Sequence, residues 1–166
     1  MKIIERLYNI LISVASSLQS PFLLAVRLYW GWQFIQTGIG HLSHLDKVTD
    51  YFGSLGIPAP ALMAPLISLL ELGGGVLLAA GLASRLIAFL LTCNMMVAFI
   101  TGDREALFSI FSDPDKFYAA APYTFLIASL LVLIFGPGKI CVDTLLARRW
   151  RARSKEQSSR AYSYTT

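Results

Sequence analysis

Four stretches of the chain are long and almost uniformly apolar, at about 21–38, 61–82, 86–101 and 117–135. A helix that crosses a bilayer needs about 20 mostly apolar residues, and each run approaches that length. The segment ahead of them is patterned differently. Ile3, Leu7, Ile10, Leu11, Val14 and Leu18 recur at helical spacing, with Lys2, Glu5, Arg6 and Asn9 between them. That stripe predicts an amphipathic helix lying in the membrane interface. A cleaved signal peptide fits less well, because Glu5 interrupts the basic start and polar residues break the apolar core. Pro21 suits a first helical turn and predicts where the first span begins.

The stretch Ile39 to Pro60 reads as a loop with a short surface helix between His41 and Phe52, followed by the turn-rich Gly53 to Pro60. Arg85 falls in a very short turn, so the second and third runs form an antiparallel hairpin. Gly136-Pro137-Gly138 ends the fourth run. The expected fold is all-α, an integral membrane four-helix bundle with an N-terminal interfacial amphipathic helix. Its parts are that helix at 1–20, the membrane domain at 21–145, and a basic, mobile tail at 146–166.

Composition agrees with this pattern. Hydrophobic residues make up 55% of the chain and charged residues 14%, against about 25% charged in soluble domains. With 166 residues, the four spans leave no room for a separate soluble domain. The net charge of +4 matters mainly for where it lies. Arg148, Arg149, Arg151, Arg153 and Lys155 crowd the tail, where they read as a topology anchor. No nucleic-acid-binding fold accompanies them, so nucleic acid is not an expected partner. Lys2, Arg6, Arg85 and Lys139 fall on the same side as this cluster, and only Lys47, Arg104 and Lys116 fall on the other. Both termini are therefore expected in the cytoplasm. Cys93 and Cys141 lie in different segments and form no C-x-x-C pair, so no dithiol redox centre is expected.

The polar residues inside the spans carry the candidate chemistry. Glu71 is the only ionisable group in the second run, and Arg27 is the only one in the first. A charge at mid-bilayer costs at least about 2.5–3.5 kcal/mol, so both are expected to be paired or used. The rise of about 1.5 Å per residue puts Arg27 about 9 Å, Asn94 about 12 Å and Glu71 about 16 Å from the same side. The expectation is an Arg27–Glu71 pair inside a polar pocket, with Asn94, Gln33, Trp30 and Tyr123 completing a ligand-binding set. Arg27, Gly31, Phe34 and Gly38 share one helical stripe, whose glycines would admit a neighbouring helix. Two roles remain open for the pair: a purely structural ion pair that fixes helix packing, or a pocket that binds a head group or carries protons. His41 and His44 form an H-x-x-H pair, but two nitrogens do not make a metal site, and none is expected.

These motifs, taken in order, resemble a known family. They are Arg27-x-x-x-Gly31-x-x-Phe34-x-x-x-Gly38, Phe52-x-x-Leu55-Gly56-Ile57-Pro58-x-Pro60, Glu71-Leu72-x-Gly74-Gly75-x-Leu77-Leu78 with Gly81, Arg85, and Gly136-Pro137-Gly138-Lys139 with Asp143. The resemblance is to the DoxX family of small bacterial four-span membrane proteins, over about residues 20 to 145. His41 stands where that family often has a lysine. The resemblance implies an inner-membrane location and redox work, since one relative is the membrane subunit of a thiosulfate:quinone oxidoreductase. It carries over only Arg27 and Glu71 as polar-motif residues.

The expected function is a redox-associated or quinone-interacting accessory subunit, possessing no active site complete in itself. Quinone is the one candidate cofactor. A redox partner protein and a second copy of the chain are the candidate partners besides the bilayer. The alternatives are a module for binding or passage of a small solute or protons, and a structural assembly partner.

Overall fold

The computed structural model describes residues 2–144 and 146–147. The basic tail expected at 146–166 therefore lies outside the described residues, apart from Leu146 and Ala147. The described chain is all-α. Its helices are α1 (Lys2–Ser43), α2 (Leu45–Ser54), α3 (Pro60–Ala80), α4 (Ser84–Thr101), α5 (Arg104–Phe108), α6 (Pro114–Ala119) and α7 (Ala121–Phe135). α1, α3 and α4 are long and apolar enough to cross a membrane, and α7 is a shorter apolar helix.

The break expected at Pro21 does not occur. α1 runs through it without interruption, so the N-terminal amphipathic stretch and the first apolar run are one helix. A proline inside a helix removes one backbone hydrogen bond and crowds the carbonyl four residues before it, which weakens a helix without having to end it. α1 also extends past the expected end of the first run at Gly38 to Ser43, and this extension places His41 on the same rigid helix as Arg27. The expected short helix follows as α2. The fourth run starts later than its composition suggests. Ala120 is extended, so Phe117 falls in the separate helix α6, and Pro122 stands in the first turn of α7.

Glycines set the helix contacts. Arg27, Gly31, Phe34 and Gly38 are all buried, as their shared stripe predicts. A Cβ on Gly31 would lie 2.8 Å from the Gly75 carbonyl oxygen, and one on Gly38 would lie 2.5 Å from the Leu72 nitrogen. α1 and α3 therefore touch backbone to backbone, the close approach that small residues permit within membranes. The Gly73-Gly74-Gly75 run divides its work. Gly75 faces α1, Gly74 faces Leu91 on α4, and Gly73 faces open space. Phe34, Leu78, Ala88, Leu91 and Val132 are fully buried and join α1, α3, α4 and α7 in one core.

Candidate functional site

The antiparallel register of α1 on α3 decides the fate of the two intramembrane charges. Gly38 meets Leu72, Gly31 meets Gly75 and Ala79, and Arg27 meets Gly81. Arg27 thus sits at the turn between α3 and α4, and Glu71 sits beyond Gly38 toward α2. The helical path from Arg27 to Gly38 alone is about 16 Å. The expected Arg27–Glu71 pair does not form. The turn between α3 and α4 is level with Arg27 itself rather than with Pro21, so Arg27 and Glu71 lie at different depths.

Arg27 instead belongs to a clasp made by the end of the described chain. Its Nη2 donates to the Ile140 carbonyl at 2.5 Å, and its side chain is fully buried. Asp143 completes the clasp. Ala83 N–H donates to Oδ1 at 2.8 Å, and the Ser84 N–H and hydroxyl each donate to Oδ2 at 3.0 Å. The cap position of α4 is Ala83, which has no side-chain oxygen, so a carboxylate from a segment distant in sequence satisfies the orphan donors of that helix end. Burial works against the Asp143 charge, but the bonds from Ser84 and Ala83, with the nearby Arg27 charge, outweigh it and hold the carboxyl below its ordinary range. Gly81 has φ +73°, and a Cβ there would collide with Arg27 and Cys141. Ser20 joins the clasp by accepting from Lys139 N–H at 2.6 Å.

Glu71 lies in a different setting, 4% exposed at the base of a cavity of about 780 Å³. Asn94 Nδ2 on α4 donates to Oε1 at 3.2 Å. His41 Nδ1 on α1 lies 2.9 Å from Oε2. Both of these atoms are buried, and neither has another hydrogen-bond partner. Among the described residues, the other ion pair is the exposed Glu105–Lys116 contact at 2.8 Å. There the hydrogen bond and the opposite charge lower the Glu105 pKa and raise that of Lys116.

Apolar and aromatic groups make most of the cavity wall, including Phe34, Phe52, Ile67, Met95 and Phe125. α2 closes one end, and its Tyr51 hydroxyl reaches so near Gly102 that a Cβ there would lie 2.9 Å away. A shallower depression of about 440 Å³ beside Arg104 and Phe108 lies on the α5 surface and includes none of these buried polar groups.

Of the expected ligand-binding set, the cavity brings together Glu71 and Asn94 only. Trp30 stands behind the wall, edge-on to Phe125 at 5.2 Å. Gln33 turns to the Tyr29 hydroxyl at 3.5 Å. Tyr123 packs on Phe117 at 5.1 Å. Arg27 is at the other end of the bundle. The residue missed by sequence reasoning is His41, although a usable signal existed, since it occupies a position where the resembled family often carries a basic group. His44 does not join it, because its Nδ1 lies 3.1 Å from the Gly40 carbonyl within α1.

Comparison with known proteins follows the same lines. A Bacillus subtilis protein named "Putative oxidoreductase CatD" is 29% identical over 120 residues, covering 72% of this chain and 83% of that protein. The Escherichia coli inner membrane protein YqjF is 28% identical over 134 residues, covering 80% of this chain and 98% of YqjF. A Mycobacterium tuberculosis membrane protein, Rv3486, is 28% identical over 136 residues, covering 78% and 83% of the two chains. No solved structure matches the chain. The DoxX family model matches residues 22–104, half of the chain, a span that includes Arg27, His41, Glu71 and Asn94. This membrane-embedded helical protein belongs to the DoxX family.

Proposed function

We propose that the protein is a four-span inner-membrane subunit that binds an amphipathic redox molecule of the quinone class in the cavity above Glu71. One observation carries this reading: a compact polar group, His41–Glu71–Asn94, lies at the base of a cavity otherwise lined by apolar and aromatic side chains. A volume of about 780 Å³ falls within the usual range for small-molecule sites, about 300–1,000 Å³. A quinone ring suits it chemically. Its carbonyl oxygens accept hydrogen bonds, which His41 and the Asn94 amide can donate, and its ring stacks on aromatic walls. Glu71 would orient both donors. The names of two relatives, an oxidoreductase and an inner membrane protein, agree with this reading.

Topology belongs to the same proposal. α7 completes the fourth span despite its 15 residues, because a short apolar helix is accommodated by local bilayer thinning and flanking anchors. With both termini in the cytoplasm, Arg85 and Lys139 face inward and the cavity opens toward the outer side. The first half of α1 then lies at or beyond the inner interface. Electrons would come from a partner protein, since nothing in the described residues forms a dithiol or a haem-ligand pair.

The permeation alternative needs a path past Glu71. The fully buried Phe34, Leu78, Leu91 and Val132 close the bundle below it and count against that reading. The test of the binding reading is mass spectrometry on protein purified from its native membrane. Co-purifying quinone that is lost in Glu71→Gln supports it. A protein that carries no quinone, with quinone reduction in cells unchanged by Glu71→Gln, refutes it.

A further inference from the structure

We infer that the cavity is filled sideways from the bilayer, through the gap between α3 and α4, so that its ligand is a lipid-dissolved molecule with an apolar tail. This rests on the reading of the cavity as a binding site and specifies its route and substrate class. α3 and α4 touch where Gly74 abuts Leu91 and where Glu71 accepts from Asn94. Along this stretch and on toward α2, the cavity wall takes residues from both helices. α3 contributes Met63, Ile67 and Leu70, and α4 contributes Leu90, Cys93 and Val97.

The α4 residues decide the direction. Leu90 and Val97 are 39% and 52% exposed, and Cys93 is also exposed, yet all three line the cavity. They recur at helical spacing on one edge of α4, so this edge belongs at once to the cavity and to the apolar outer surface of the bundle. A surface of Leu, Val and Cys at that depth meets acyl chains rather than water. A passage with apolar lips and a polar floor sorts for molecules that are already in the lipid and carry one hydrogen-bonding head. The head settles on His41, Glu71 and Asn94, and the tail remains in the gap between the helices.

The other side of the cavity is less suited to such a ligand. α2 roofs it, with Tyr51 against Gly102, and Lys47 and Asp103 stand at its margin. A tailed molecule passing that way would have to leave the bilayer and cross a charged rim.

The experiment uses the full chain in liposomes and decylubiquinone as probe, followed by quenching of tryptophan emission, in which Trp30 reports from behind Phe125. The Leu90→Phe/Val97→Phe variant narrows the gap with residues that still suit a lipid-facing surface. Lys47→Phe narrows the aqueous rim. The expected result is association slowed at least tenfold by the first variant and unchanged by the second, with the tailless ring ubiquinone-0 binding at least tenfold more weakly than decylubiquinone. Slowing by Lys47→Phe alone, or equal binding of the two probes, overturns the lateral route and leaves the binding reading standing. Absence of binding by both probes to the unmodified protein overturns both.

Discussion

Arg27 and Glu71, the two charges buried within the apolar helices, face opposite ends of the α1–α3 contact. Arg27 reaches the Ile140 carbonyl beside Gly81, and Glu71 reaches His41 and Asn94 beyond Gly38. One charge closes the bundle and the other furnishes a cavity. That division makes their variants separable.

Arg27 and Asp143 should be energetically coupled, and Arg27 and Glu71 should not. Residues that share a network interact by about 0.5–3 kcal/mol, and distant ones add within about 0.5 kcal/mol. Double-mutant cycles with Arg27→Met, Asp143→Asn and Glu71→Gln, read by thermal unfolding in detergent, check this. Additivity of Arg27→Met with Asp143→Asn would remove the clasp.

Asp143→Ala should cost about 1 kcal/mol or more, the usual loss for a helix cap, and should loosen the start of α4. Hydrogen exchange at Ser84 to Ile87 would show it. Unchanged protection there would mean that Ala83 and Ser84 find other acceptors.

The same carboxylate sets a pH dependence. Its folded pKa is held low, so its contribution is complete above the ordinary aspartate pKa of about 3.9 and fades as pH falls through the lower folded value. Unfolding midpoints measured from pH 6 downward should drop below about pH 4, and Asp143→Asn should lessen the drop. An acid limb identical in the two proteins would count against a stabilised Asp143 charge.

Neighbouring glycines should differ sharply. Gly75→Ala places a methyl 2.7 Å from the Gly31 carbonyl oxygen, backbone that cannot move aside, and overpacking of this kind costs about 1–3 kcal/mol. Gly73→Ala meets nothing within 4 Å and should be neutral or gain up to about 1 kcal/mol from helix propensity. Unfolding of the two variants in parallel decides it, and equal effects would mean the α1–α3 register is wrong.

The glycine stripe was legible because helical periodicity alone puts Arg27, Gly31, Phe34 and Gly38 on one face. Glu71 and Asn94 could be brought together because a hairpin with a known turn fixes the relative depth of its two helices. The Arg27 partner was not legible in this way. Its depth depends on how far α1 slides along α3, and that register is set by backbone contacts at Gly31, Gly38 and Gly75 that no spacing reveals. Asp143 was hidden for a related reason, because a helix cap supplied by a residue 59 positions away has no local signature. His41 lies beyond the apolar run, so nothing in its hydropathy shows that α1 continues to Ser43 and carries it to Glu71.

The most direct measurement is the affinity of decylubiquinone for the reconstituted protein, read by tryptophan quenching, in the unmodified chain, Glu71→Gln and Arg27→Lys. Leaving a buried hydrogen-bonding group without its partner costs about 1–3 kcal/mol, so Glu71→Gln should weaken binding by about tenfold. Arg27→Lys, at the other end of the bundle, should leave the affinity unchanged even if it lowers stability. Full affinity in Glu71→Gln, or an equal loss in Arg27→Lys, would contradict the assignment of the cavity above Glu71 as the binding site.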